Sequence, residues 1–279
     1  MARTIALQQV ADGRAGCLLT IEFSGDSTGA GLAAALATAE ADAPRGPRPA
    51  GTDPVAADRH QVWRLDPVTS VELDSGLPDH ATLADAAAAE FLRRRPIGPG
   101  PLTVVGYCSA AVFAGHLTRA LVVAGSPPDA LVLVAATVPD ERTAWREYAT
   151  LHHKLTGEAA PPPVPAEPHA VVARWRAELT GHARTFVAAQ GFPPGEAETA
   201  AQEIAGRYLA WLWFLLDAAR AGEARVPCPV TVLADDAQAL DRLAYRPAVA
   251  ASRPATGRTT SPDHSGAGVG AGADDGGTA

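Results

Sequence analysis

The stretch Thr103-Val104-Val105-Gly106-Tyr107-Cys108-Ser109-Ala110-Ala111-Val112-Phe113-Ala114 constrains this chain more than any other. An apolar run stops at a glycine, one residue intervenes, and a cysteine is followed by small residues that open an apolar helix. That is the strand–turn–helix layout of a nucleophile elbow, with sulfur where serine is commoner. Sterics impose it. The nucleophile's backbone takes a sparsely populated conformation, so the residues two positions away must be small. Gly106 and Ala110 meet that demand. The same turn sets the thiol at a helix N-terminus, where the dipole and free N–H groups favour a thiolate and can cradle an oxyanion.

The segments around the elbow alternate in kind. Residues 16–23 read as a buried strand that ends in Ser24-Gly25-Asp26-Ser27-Thr28-Gly29, and an apolar helix follows over 30–39. Residues 40–60 read as a polar, Pro- and Ala-rich loop, 61–65 as a short strand, and 78–92 as a helix capped by Thr82. After the elbow strand (102–105) and its helix (110–124) comes the continuous apolar run Ala130-Leu131-Val132-Leu133-Val134-Ala135, the kind of strand buried on both faces of a parallel sheet. Strands alternating with helices in this order predict a doubly wound, mostly parallel α/β sheet with right-handed crossovers.

From Asp140 the character changes to a polar helix, the break Pro161-Pro162-Pro163, and helical stretches at 170–189 and 196–220. A block of this kind between strands predicts a helical lid over the sheet's carboxyl edge. The run Tyr208-Leu209-Ala210-Trp211-Leu212-Trp213-Phe214-Leu215-Leu216 is apolar all round, so it packs on two sides or lines an acyl pocket. Residues 229–234 form the last strand, with Asp235-Asp236 at its end. The expected organisation is a core in two parts (1–139 and 223–264), a lid at 140–222, and a disordered glycine-rich tail at 265–279.

Composition narrows the function classes. The chain is 47% hydrophobic and 19% charged with net charge −8, and its arginines are scattered, which suits a globular core and excludes a nucleic-acid binder. Cys17, Cys108 and Cys228 are widely spaced and odd in number, giving neither a disulfide framework nor metal-ligand spacing. No apolar run approaches membrane-spanning length. A soluble cytoplasmic protein without metal or cofactor is expected.

A cysteine nucleophile needs a base and a group that orients the base. In elbow-type folds the chain order is nucleophile, acid, histidine. His264, in Thr259-Thr260-Ser261-Pro262-Asp263-His264, follows the last strand and lies 28 residues beyond Asp236, room for a helix and a short strand. It is the candidate base. Asp236 is the candidate acid, ahead of Asp235 and Asp140. The backbone N–H groups of Ser109 and of the loop at Gly25 are the candidate oxyanion hole. Tyr107 and Trp211 are the candidate substrate-binding side chains, and Cys17 and Cys228 read as buried small hydrophobes.

With these pieces in order, the chain resembles the thioesterases of polyketide and nonribosomal peptide synthesis, within the α/β-hydrolase superfamily. The resemblance spans residues 77–138, through LPDHATLADAAAAEFL, GPGPLTVVGYCSAAVFAGHLTRALVVAG and PDALVLVAA, and continues to VPCPVTVLADD. It implies an α/β-hydrolase-like sheet with a helical lid, and a carrier protein bearing phosphopantetheine as partner. The implied reaction moves an acyl chain from the carrier's thiol to Cys108, then to water, an internal nucleophile or another acceptor. Several positions depart from the family's pattern. Ala135-Ala136 stands where the family often has its acid, Ser24-Gly25-Asp26-Ser27 replaces a proline with paired glycines, and a glycine-rich tail replaces the final helix. Two other readings stay open: a hydrolase of the dienelactone-hydrolase kind, which the long helical block disfavours, and a non-catalytic relic that binds acyl chains or a carrier protein.

Overall fold

The computed structural model of the chain describes residues 5–23, 31–42, 59–70, 78–95, 100–163, 166–221 and 226–233. Its elements in chain order are β1 (Ala6–Ala11), β2 (Gly16–Ile21), α1 (Leu32–Asp42), β3 (His60–Asp66), α2 (His80–Arg94), β4 (Leu102–Tyr107), α3 (Ala111–Val123), β5 (Ala130–Val134), α4 (Glu141–Thr156), α5 (Pro168–Ala189), α6 (Pro194–Arg220) and β6 (Val230–Leu233). The six strands form one sheet in the order β1-β3-β2-β4-β5-β6. All neighbours are parallel except β1, which runs antiparallel to β3. This is the expected doubly wound, mostly parallel α/β sheet.

The edge strand β1 is an addition to what the sequence announces. Its burial alternates weakly, with Gln8 and Gln9 exposed, so no period-2 signal marks it. The central strands are easier to read. Leu19, Ile21, Val104, Leu131 and Leu133 are buried with helices packed over them. Connections from β3 through α2 to β4, and from β4 through α3 to β5, run in one direction along the sheet. The connection from β2 through α1 to β3 runs in the other. Right-handed crossovers therefore place α1 on one face and α2 with α3 on the other. The sheet's order reverses between β2 and β4, and in open sheets of this kind ligands bind beside such a reversal at the strands' carboxyl ends.

Local chemistry fixes the element ends. The cap of α2 is Asp79, whose carboxylate accepts the Thr82 N–H at 2.7 Å; Thr82 itself, the expected cap, sits in the first turn. Glu22, buried just past β2, accepts the Ala33 N–H at 3.2 Å and pairs with Arg64 at 3.1 Å, tying the start of α1 to β3. Helix α4 begins in a capping box between Asp140 and Thr143 and ends at Gly157 in the left-handed conformation (φ 77°).

Helices α4, α5 and α6 lie between β5 and β6 and build a core of their own around Tyr148, Trp175, Leu179, Leu209, Leu212 and Leu215. The apolar run in α6 does two jobs. Leu209, Leu212, Trp213, Leu215 and Leu216 face that helical core, whereas Ala210 and Phe214 belong to the sheet's core. Trp213 Nε1 donates to the Pro78 carbonyl at 2.8 Å, and Asp217 accepts the His80 N–H at 2.6 Å, so α6 is hydrogen-bonded to the start of α2. Among the described residues no helix is long and apolar enough to cross a membrane.

Candidate active site

Strand β4 ends at Tyr107, and the chain turns through a short 3-10 segment, Cys108–Ala110, into α3. Cys108 has φ 52°, a left-handed backbone that costs a non-glycine residue about 1–2 kcal/mol. The small neighbours have the expected cause. A Cβ on Gly106 would lie 2.8 Å from the Ala114 Cβ and 3.2 Å from Leu133 Cδ2, so only glycine lets α3 approach the sheet this closely. Ala110 and Ala111 are fully buried under the turn.

This geometry lifts the thiol out of the core. Cys108 is half-buried, Tyr107 beside it is 43% exposed, and Ser109 points inward at 8%. Ser109 lies in the first turn of the helical segment, where N–H groups lack intrahelical acceptors. Cys17, by contrast, is sealed in the sheet, and burial pushes its thiol up to about 11. Cys228 is also raised by burial. Only Cys108 of the three sits on an elbow.

The polar neighbours of the Cys108 sulfur are two hydroxyls: Thr137 Oγ1 at 3.6 Å and Ser109 Oγ at 3.7 Å, themselves 3.4 Å apart. Among the described residues no imidazole is hydrogen-bonded to it. Thr137 is absent from the residues the sequence singles out. It arrives because Ala135, just past β5, also has a left-handed backbone (φ 47°), which turns the chain toward the elbow. The Thr137 N–H then donates to the Cys108 carbonyl at 3.2 Å.

The other candidates divide. Asp235, Asp236, His264 and Gly25 lie outside the described residues. Asp140, the third acid considered, has its carboxylate committed to α4: it accepts the Thr143 N–H at 2.7 Å and the Thr143 hydroxyl at 2.6 Å, which hold it below the usual carboxylate range. Trp211 is half-buried, stacks on Phe214 and meets Phe23 edge-on at 4.6 Å. It lines a cleft of about 450 Å³ between the carboxyl ends of β2 and β3 and helices α4 and α6, together with Phe23, Val68, Leu151, Ile204 and Tyr208. Cys108 is not in its lining. The described residues hold no cluster of side chains able to bind a metal ion.

No protein-family model matches this chain, and neither does any curated protein. Solved structures do. The chain is similar to YbtT, the type II thioesterase of the yersiniabactin NRPS/PKS pathway (16% identity, 88% of this chain and 89% of that one, TM-score 0.42). It is similar to BorB, the type II thioesterase of the borrelidin biosynthetic cluster (19%, 82% and 78%, TM-score 0.39). A third similar structure is the wild-type Vlm2 thioesterase domain (11%, 86% and 83%, TM-score 0.43).

Proposed function

We propose that Cys108 is the nucleophile of a carrier-dependent thioesterase or acyltransferase of polyketide or nonribosomal peptide synthesis. The observation that carries this reading is the left-handed backbone of Cys108, at the turn from β4 to α3 on the sheet's carboxyl edge, with its thiol half-exposed. A buried structural cysteine has no need of that strain. In the proposed reaction the sulfur attacks the carbonyl carbon of an acyl thioester on a carrier's phosphopantetheine. A carbon–sulfur bond to Cys108 forms and the bond to the carrier sulfur breaks. The proton leaving Cys108 passes to His264, oriented by Asp236, and on to the departing thiol. The Ser109 N–H and that of Gly25 stabilise the oxyanion. Because the bond broken and the bond formed are both thioesters, the first transfer is close to isoenergetic, and the second is open to water, amines or thiols.

The helical insertion at 140–222 serves as the lid in this reading, and the cleft lined by Phe23, Tyr208 and Trp211 receives the acyl chain. Tyr107, exposed next to the sulfur, contacts the incoming substrate.

The test is intact-protein mass spectrometry after incubation with an acyl N-acetylcysteamine thioester. A single acyl adduct is expected on the wild-type protein and none on Cys108→Ala. No adduct on the wild type, or turnover of free lactones without any preference for thioesters, overturns the proposal.

A further inference from the structure

The sulfur's closest polar partner belongs to a residue that no motif assigns. Three observations converge on Thr137. Its N–H is fixed to the Cys108 carbonyl at 3.2 Å, its hydroxyl lies 3.6 Å from the sulfur, and the left-handed turn at Ala135 holds its segment against the elbow. Threonine is β-branched, so once its backbone is anchored few rotamers remain for the hydroxyl. The side chain is exposed, on the same open side as the sulfur, so core packing does not account for its position.

We infer that Thr137 is a positioning residue for the nucleophile: its hydroxyl holds the Cys108 sulfur in place and donates a hydrogen bond to the thiolate. With the thiol protonated, either atom can be the donor. Once the proton has left, only the hydroxyl has a hydrogen to give. A bond made to the charged form favours that form. The Thr137 hydroxyl therefore stabilises the charged, nucleophilic form of the sulfur, and it does so from the turn that follows β5. Ser109 Oγ, 3.4 Å from Thr137 Oγ1, completes a small hydroxyl cradle around the sulfur.

This inference rests on Cys108 being the nucleophile, and the experiment separates the two. Alkylation by iodoacetamide is followed against pH by site-resolved peptide mass spectrometry at Cys108, so that Cys17 and Cys228 do not interfere. Acyl loading from the N-acetylcysteamine thioester is measured on the same proteins. Thr137→Val keeps the backbone bond and the β-branch but removes the hydroxyl; its alkylation profile at Cys108 should shift to slower reaction, by about tenfold at neutral pH. Thr137→Ser should restore the wild-type profile, which a merely structural role would not require. Thr137→Ala should repeat the shift of Thr137→Val, and stands in for it if the valine variant misfolds. Wild-type profiles in the valine or alanine variant, with acyl loading intact in the wild type, overturn the role of Thr137 and leave the nucleophile standing. A shifted profile with no acyl loading in any protein upholds the hydroxyl's hold on the sulfur and overturns the acyl chemistry.

Discussion

At the scale of single residues, strain is concentrated where two strands end side by side. Cys108 and Ala135 are the only described non-glycine residues with positive φ, and they follow the paired strands β4 and β5. Left-handed backbone is cheap for glycine and costly for residues with a Cβ. Cys108→Gly should therefore be more stable than Cys108→Ala, by about 1 kcal/mol in urea unfolding, although both lose the thiol. Equal stability would show that the elbow carries no strain. This part of the site is legible in sequence because the steric demand is local: Gly106, Ala110 and Ala111 are small for reasons that lie within a few residues of Cys108. Thr137 is not legible. An alanine does not advertise a left-handed turn, so nothing near position 135 signals that the chain bends back to the sulfur.

At the scale of elements, α6 couples the helical insertion to the sheet. Phe214 is 1% exposed and touches Phe23 at 5.0 Å, Phe113 at 6.0 Å and His80 at 4.3 Å between ring centres. It is thus wedged among β2's extension, α3 and the start of α2. Phe214→Ala should cost about 3–5 kcal/mol of stability, read as a fall in the urea midpoint. A loss below 1 kcal/mol would mean that α6 is not anchored through this ring. The sequence shows a helix apolar on all sides but not which residues serve which core. That division depends on where the sheet lies, and the chain's local pattern does not contain it. The same holds for the cap of α2, which the sequence reading puts at Thr82 and hydrogen-bond geometry puts at Asp79.

For the whole molecule, acid is the informative perturbation. His80 is 2% exposed between Phe113 and Phe214, with its Nδ1 3.8 Å from the Asp217 carboxylate. Burial, with His116 nearby, pushes its pKa down to about 3 from the ordinary 6.5. The folded value is the lower one, so the fold favours neutral His80. That preference is fully present above pH 6.5 and is lost as pH falls from there toward 3. His116 is depressed too and acts in the same direction, whereas Asp217, raised by burial, acts in the opposite one. His80→Phe should flatten the decline of the melting temperature between about pH 6.5 and 4. An unchanged slope would show that His80 does not govern acid stability.

The chain's sequence by itself determined the alternation of strands and helices, the elbow and its sulfur, and the presence of a helical block before the last strand. Those features follow from period, steric size and capping chemistry acting over a few residues. Only the tertiary structure decided that an antiparallel strand closes one edge, that α6 divides its apolar faces between two cores, and that Thr137 stands over Cys108. Each of these depends on segments far apart in the chain meeting in three dimensions, and contacts of that kind leave no periodic trace in either partner alone.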